Sequence, residues 1–279
     1  MNILLTGAQG TFGAEFCRQA QSSPHVVVTP VGRNDWADID KKLASASVVV
    51  HAASDLRTPA GLRPTQLLNS NLMSTATLLE ASRDHGVKKF VFLSSCAVYG
   101  EDMTTAENSL CCPISINGIS KHLNEKLIAE FCMANAIDYQ ILRVFNSYGG
   151  RDSFSILSKL KESLLSGAPF TLNNDGRMLR DFIHISDVAA IVMKLATCDI
   201  KATHLNVGTG VATKVSSLVA LVKAQFPKLV IQPGLSREAE YSRADTTRLR
   251  EIWTGGFVRI EDYINSQFKN YVTENSVTF

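Results

Sequence analysis

Met1-Asn2-Ile3-Leu4-Leu5 runs straight into Thr6-Gly7-Ala8-Gln9-Gly10-Thr11-Phe12-Gly13. A short apolar run gives way to three evenly spaced glycines, and from Ala14 the apolar positions Phe16, Cys17 and Ala20 take up helical spacing. A buried strand feeding a glycine turn and then a helix leaves backbone N–H groups free at the helix N-terminus, a ready seat for a pyrophosphate. In this reading Gly7 allows the tight turn, Gly10 lets the backbone approach the phosphates, and Gly13 lets helix and strand pack closely. The plain alternative is a glycine turn that binds nothing. The strand before and the helix after are what the dinucleotide motif requires, and they favour the binding reading.

The rest of the chain repeats the pattern outward from that turn. Apolar runs at Val26–Val31, Val48–Ala53, Phe90–Leu93 and Tyr139–Val144 predict further strands. Helices are predicted around 41–46, from about Gln66 to His85 with Gly86 as its C-cap, and over His122–Ala134. Strands alternating with helices, and apolar enough to be covered on both faces, predict an α/β fold with a doubly wound parallel sheet. Residues 1–145 are expected to form a Rossmann-type NAD(P)-binding domain and residues 146–279 mainly a smaller substrate-binding lobe, with segments near 180–207 returning to the first domain. In the second half, helices are expected at Ile156–Leu165, Asp187–Ala196 and Ser216–Phe226, with turns at 173–176 and 206–210. The lobe should close over the carboxyl ends of the sheet, where ligands bind in such folds.

Bulk properties narrow the partners. A hydrophobic content of 45% with 19% charged residues fits a packed core and not a disordered chain. With a net charge of +2 and no block of Lys or Arg, nucleic acid is not an expected partner. No apolar run approaches spanning length, so no membrane partner is expected. The six cysteines show no CxxC spacing and no His cluster beside them. Reduced thiols in a cytoplasmic protein are expected, and no metal site.

Dinucleotide sites that hold NAD place a carboxylate about 20 residues past the glycines, on the ribose 2′-hydroxyl. Here that place is Gly32-Arg33. A carboxylate would repel a 2′-phosphate, whereas a guanidinium binds one with paired hydrogen bonds. NADP is therefore expected in preference to NAD. The alternative keeps Arg33 as a solvated loop residue and gives the NAD role to Asp35 or Asp38.

Taken together, TGAQGTFG at 6–13, HAAS at 51–54, Asn71 with Thr75, SSCAVYG at 94–100, GISK at 118–121, LRVFNSYG at 142–149, RDFIHISDVA at 180–189 and NVGTG at 206–210 resemble the extended short-chain dehydrogenase/reductases. Within them the chain is similar to the nucleotide-sugar epimerase, dehydratase and 4-ketoreductase branch. The resemblance implies NAD(P)-dependent hydride transfer at a carbon of a nucleotide-sugar substrate. It also implies a homodimer, because helices 66–85 and 122–134 occupy the positions through which the family commonly dimerises.

Carried over residue by residue, Gly7, Gly10, Thr11, Phe12 and Gly13 would hold the pyrophosphate. Asp38 and Ile39 would lie by the adenine, with Ala52, Ala53, Ser54 and Asn71 further along the cofactor, and Lys121 would grip the nicotinamide ribose. Ser95 would hydrogen-bond the reacting sugar oxygen. Asn146 and Arg180 would contact the substrate's sugar and diphosphate, Arg237 would add a second diphosphate contact, and Tyr99 has its own place beside the substrate. His184 and Asp187 read as structural, with Ser186 or Asp187 capping the next helix. Plain alternatives stand beside these: Ser95 ending a strand, Asn146 satisfying a turn, Arg180 paired with Asp181.

One position departs from the family. Its general acid/base is a tyrosine four residues before the lysine, and here that residue is Asn117. A carboxamide accepts or donates a hydrogen bond but cannot carry a proton at ordinary pH. Loss of such a group typically removes about 10²–10⁴ in rate. Ser95, Asn117 and Lys121 are the expected catalytic set, with Tyr99, water or a substrate hydroxyl as other proton sources. The rival expectation is a homologue that binds NAD(P) and a nucleotide sugar without normal turnover.

Overall fold

The structure is a computed structural model that describes residues 1–55, 64–101 and 105–275. Five strands from the first half, β1 (Asn2–Thr6), β2 (Val27–Val31), β3 (Val48–His51), β4 (Lys89–Ser95) and β5 (Asp138–Val144), share one sheet. The others are β6 (Asn146–Tyr148), β7 (Phe170–Asn173), β8 (Leu179–His184), β9 (His204–Val207), β10 (Ala212–Lys214), β11 (Ile231–Gly234) and β12 (Tyr241–Ser242). The main sheet runs β2-β1-β3-β4-β5-β9, parallel throughout. The order reverses direction between β1 and β3, and in open α/β sheets such a reversal opens a crevice at the carboxyl ends of the strands.

Both faces of this sheet are covered, as its uninterrupted apolar runs require. Side chains alternate along a strand, so Ile3 and Leu5 face one side with Phe16, Val188 and Leu195, while Leu4 faces the other with Phe92, Leu78 and Ile128. The first side is covered by α1 (Thr11–Ala20) and α7 (Ile185–Thr197). On the opposite side lie α2 (Ile39–Leu43), α4 (Ser74–Asp84) and α5 (Ile116–Ala134), the chain entering α4 through α3 (Pro64–Leu67) and a π turn over Leu68–Met73. Pro30 lies in β2, which has a single neighbour in the sheet, so the missing N–H costs no ladder bond there.

The smaller lobe combines α6 (Ile156–Ser166), α8 (Val215–Gln225), the β11–β7 pair and the C-terminal helical turns. Its own core joins Tyr148, Leu160, Phe182, Val219, Ile264 and Phe268. β8 pairs with β6, β10 and β12 and leads into α7, which returns to the main sheet.

Two helix starts differ from the sequence reading. α5 begins at Ile116 and not near His122, because Ser115 caps it by accepting from the Gly118 N–H at 3.1 Å. Gly118 obscured that start, glycine being a weak helix former. Here it is required, since a Cβ would stand 2.4 Å from the Ala97 carbonyl oxygen. α7 begins at Ile185, and its cap is the His184 ring, whose Nδ1 accepts from the Ser186 N–H at 3.2 Å. Ser186 and Asp187, expected as caps, lie inside the helix. Asp187 instead accepts from Val258 N–H at 2.8 Å and ties the C-terminal segment down.

Candidate functional site

A continuous cleft of about 1520 Å³ runs over the carboxyl ends of the main sheet and into the lobe. At one end it is lined by Gly7, Gly10, Thr11, Phe12 and Gly13. Gly7 has a φ of +71°, and a Cβ there would stand 2.8 Å from the Ala53 nitrogen. A Cβ on Gly13 would stand 2.3 Å from the Gly7 carbonyl oxygen, so no side chain fits between helix and turn. Gly10 is the N-cap of α1, and no side chain among the described residues caps the helix. The first N–H groups of α1 thus have no intrahelical partner. A ten-residue helix with an uncapped N-terminus on a cleft fits a pyrophosphate in both donors and dipole.

Beneath the turn lies a buried chain of hydrogen bonds whose directions follow one another. Thr75 donates to the Asn71 carbonyl at 2.6 Å, so its oxygen accepts from His51 Nε2 at 3.0 Å. His51 Nδ1 is then left to accept from the Thr6 hydroxyl at 2.7 Å, and Thr6 Oγ1 accepts from the Ala53 N–H at 3.2 Å. His51 is neutral, burial and the nearby Lys121 ammonium holding its pKa down at about 3. The chain fixes the Ala52-Ala53-Ser54 wall of the cleft.

Asn71 belongs to this support and not to the lining. Its amide accepts from Asp55 N–H at 2.7 Å and donates to the Asp55 carbonyl at 3.2 Å and to Ser120 Oγ at 3.3 Å. It is buried at 2% exposure, so the expectation of a direct cofactor contact is corrected to one of positioning.

Ser95, Asn117 and Lys121 all line the cleft. Ser95 ends β4 and its oxygen accepts from the Ala97 N–H at 3.2 Å. Lys121 donates to the Leu93 carbonyl at 2.6 Å and lies 4.7 Å from the centre of the Phe92 ring. Burial pulls its pKa down to about 8, against the opposing pull of Glu125. Asn117 stands one helical turn before it, with its Oδ1 buried and without a hydrogen-bond partner among the described residues.

Tyr99 does not reach the cleft. It is 1% exposed, its hydroxyl donates to Asn206 Oδ1 at 2.6 Å and accepts from Arg143 at 3.1 Å, and the guanidinium lies over its ring. Burial pushes its phenol up, away from any neutral-pH proton transfer. The expectations of a substrate contact and of a stand-in acid are both corrected. Arg143 is also held by both oxygens of buried Glu125, one of which accepts from Ser94. Cys111, His122 and Glu125 bring their donor atoms within 4.8 Å of one another. With both oxygens already given to Arg143, the Glu125 carboxylate anchors an ion pair and is poorly placed to hold a cation.

In the lobe, Asn146 and Arg180 line the cleft. Asn146 donates to the Asp181 carbonyl at 2.9 Å. Arg180 pairs with Glu238 at 2.8 Å and not with Asp181, whose carboxylate accepts from Thr209, Gly210 and Ala244. Arg237 is exposed and absent from the lining, where its neighbour Glu238 stands. The structure thus brings a carboxylate, and not the Arg237 guanidinium, to this part of the cleft. Sequence reading also missed the Phe170–Asn173 strand and Met178, which form the far wall of the cleft.

At the other end, Arg33 and Trp36 line the cleft whereas Asp38 and Ile39 do not. Asp38 is exposed and pairs with Lys41 at 2.9 Å, and the Ile39 side chain is in the core under the sheet, so neither side chain is brought to the cleft. Asp35 accepts from the Gly32 N–H at 2.6 Å and pairs with Lys42 at 3.3 Å. Arg33 is exposed, without a carboxylate partner among the described residues. Among the described residues no helix is long and apolar enough to cross a membrane.

Comparison with known proteins agrees with this geometry. Residues 3–208 match the family described as the NAD dependent epimerase/dehydratase family. A protein of Bacillus subtilis (strain 168) called an uncharacterized UDP-glucose epimerase, YtcB, is 28% identical over 292 residues, covering 90% of this chain and 92% of that protein. A putative UDP-glucose 4-epimerase of Methanocaldococcus jannaschii is 31% identical over 216 residues, covering 74% of this chain and 68% of that protein. Among solved structures, MoeE5 in complex with UDP-glucuronic acid and NAD superposes with a TM-score of 0.86 at 27% identity, over 99% of this chain and 100% of that one.

Proposed function

Because this chain belongs to the NAD dependent epimerase/dehydratase family, we propose that it is a nucleotide-sugar epimerase or 4-ketoreductase working by hydride transfer at a sugar carbon. The observation that carries this reading is the single cleft joining the uncapped N-terminus of α1 to Arg180 in the lobe, with Ser95, Asn117 and Lys121 on its wall. A nicotinamide dinucleotide supplies the hydride chemistry when bound. The chain's own residues hold and orient: the α1 N-terminus and Ala52–Ser54 take the cofactor, Ser95 donates its proton toward the reacting sugar oxygen, and Asn146 and Arg180 take the sugar and diphosphate. Lys121, with a pKa of about 8, is the group on this wall able to hold or release a proton near neutrality. Asn117 cannot, and its amide orients.

The cofactor we assign is NADP in preference to NAD. Arg33 on the cleft, Gly32 at the end of β2 and the diversion of Asp35 toward Gly32 and Lys42 all support a 2′-phosphate over a bare ribose. A homodimer is supported by the exposed apolar side chains of Met73, Ile119 and Leu123, each more than 40% exposed, on or beside helices 66–85 and 122–134. The six cysteines are free thiols, which fits a reducing cytoplasm.

Single-turnover mixing of the protein with NADPH and 4-keto sugars carried on UDP, dTDP or GDP tests the reading. Loss of reduced-nicotinamide absorbance with at least one of them is expected. Cofactor binding with no hydride transfer to or from any nucleotide sugar would refute it.

A further inference from the structure

The cation that should meet the substrate's diphosphate is already engaged. Arg180 is buried, with 10% of its side chain exposed, and its Nη2 donates to Glu238 Oε2 at 2.8 Å and to the Ala239 carbonyl at 2.5 Å. Its Nη1 donates to the Leu179 carbonyl at 3.0 Å. Glu238 is itself held from behind, its other oxygen accepting from Ser236 Oγ at 2.5 Å. The short strap between β11 and β12 that carries it is pinned by Asn174, which donates to the Ser236 carbonyl at 2.8 Å. Glu238 also lines the cleft, so its charge faces any ligand that reaches Arg180.

A carboxylate and a phosphate oxygen compete for the same face of a guanidinium. We propose that Glu238 is a specificity residue of this site, an internal anion on Arg180 that a nucleoside diphosphate must displace and that a ligand without phosphate leaves in place. The inference rests on the reading of the cleft as a nucleotide-sugar site. It sets the charge that a ligand must bring: the diphosphate replaces the carboxylate on Arg180, and the strap moves to carry Glu238 away from the incoming charge. Ser236 and Asn174 then define the resting position to which the strap returns.

The test is calorimetric titration of the full chain with UDP and with uridine, for the unmodified protein and for Glu238→Gln. The carboxamide oxygen can still accept from Arg180 while its NH2 donates to Ser236 Oγ, and the charge is removed. UDP should bind about three- to tenfold more tightly to Glu238→Gln, the range expected when one partly screened charge is removed. Uridine binding should not change. Weaker or equal UDP binding would overturn the proposal, because it would make Glu238 a support that orients Arg180. An equal gain for UDP and uridine would overturn it as well, since a loosened strap helps any ligand. If neither protein binds UDP, dTDP or GDP while both bind NADPH, the nucleotide-sugar reading itself fails, and the inference with it. NADPH affinity equal in the two proteins shows that the variant is folded.

Discussion

The Thr6 hydroxyl donates to Nδ1 of His51 at 2.7 Å, and this bond fixes the imidazole as its neutral Nε2–H tautomer at the reversal point of the sheet. In the unfolded chain the same ring protonates below about 6.5. The folded ring resists protonation until about pH 3. The unfolded state therefore binds more protons across that window, and stability falls as the pH is lowered through it. By pH 5 this one residue should remove about 2 kcal/mol relative to neutral pH. Urea denaturation of the protein and of His51→Gln at pH 7 and pH 5 checks it. The variant should be less stable at pH 7, with a smaller loss on acidification, and equal acid losses would count against the assignment.

Asn117 should limit turnover far more than binding. It lines the cleft together with Ser95 and Lys121, and its buried Oδ1 stands without a hydrogen-bond partner among the described residues. Asn117→Tyr should raise single-turnover hydride transfer at least tenfold, within about 10²–10⁴ for a restored acid/base. Cofactor affinity should change little. An unmodified protein already turning over at ordinary enzymatic rates would refute this, and would shift the proton to Lys121 or the substrate.

NADPH should bind more tightly than NADH, and Arg33→Ala should narrow the difference. The loss should be about 1–2 kcal/mol of NADPH affinity, the scale of a charge-assisted hydrogen bond at an exposed site. NADH affinity should stay within a factor of two or so, since Arg33 is exposed and has no carboxylate partner to release among the described residues. Equal affinities of the unmodified protein for the two cofactors would rule the assignment out.

Removing the guanidinium altogether should have the opposite effect to neutralising Glu238. Arg180→Ala leaves the Glu238 carboxylate alone on the cleft wall, so UDP should bind at least tenfold more weakly. Fluorescence titration with NADPH should show cofactor affinity nearly unchanged. A matching drop in both affinities would mean that the lobe had come loose.

The features legible in the sequence were those where backbone geometry leaves one residue type: Gly7 and Gly13 cannot carry a side chain, and the turn they build announces itself. The strands were legible too, because a sheet covered on both faces needs unbroken apolar runs. What stayed hidden were side chains whose role depends on distant partners. Tyr99 looks like a cleft residue beside Ser95, yet Arg143 and Asn206, both far along the chain, draw it into the interior. Asn71 lies in the expected place but turns its amide to Asp55 and Ser120. Arg237 and Glu238 are adjacent, and only the path of the strap decides which of them faces the cleft. The cap at His184 was missed because an imidazole offers no composition signal that separates a cap from a core histidine.

β9 pairs with β5 over Ile141–Val144, and its Leu205 and Val207 lie in the same core as Leu5 and Leu142. The sheet is thus finished by a strand that leaves the ribosome some sixty residues after β5. Throughout that interval the emerging chain carries an open, apolar parallel edge of the kind that recruits other chains. A stop codon placed after residue 145 would leave that edge uncovered for good. The first half should then be recovered as aggregate or in complex with a chaperone, and supplying residues 146–279 as a separate polypeptide should be what returns it to solution.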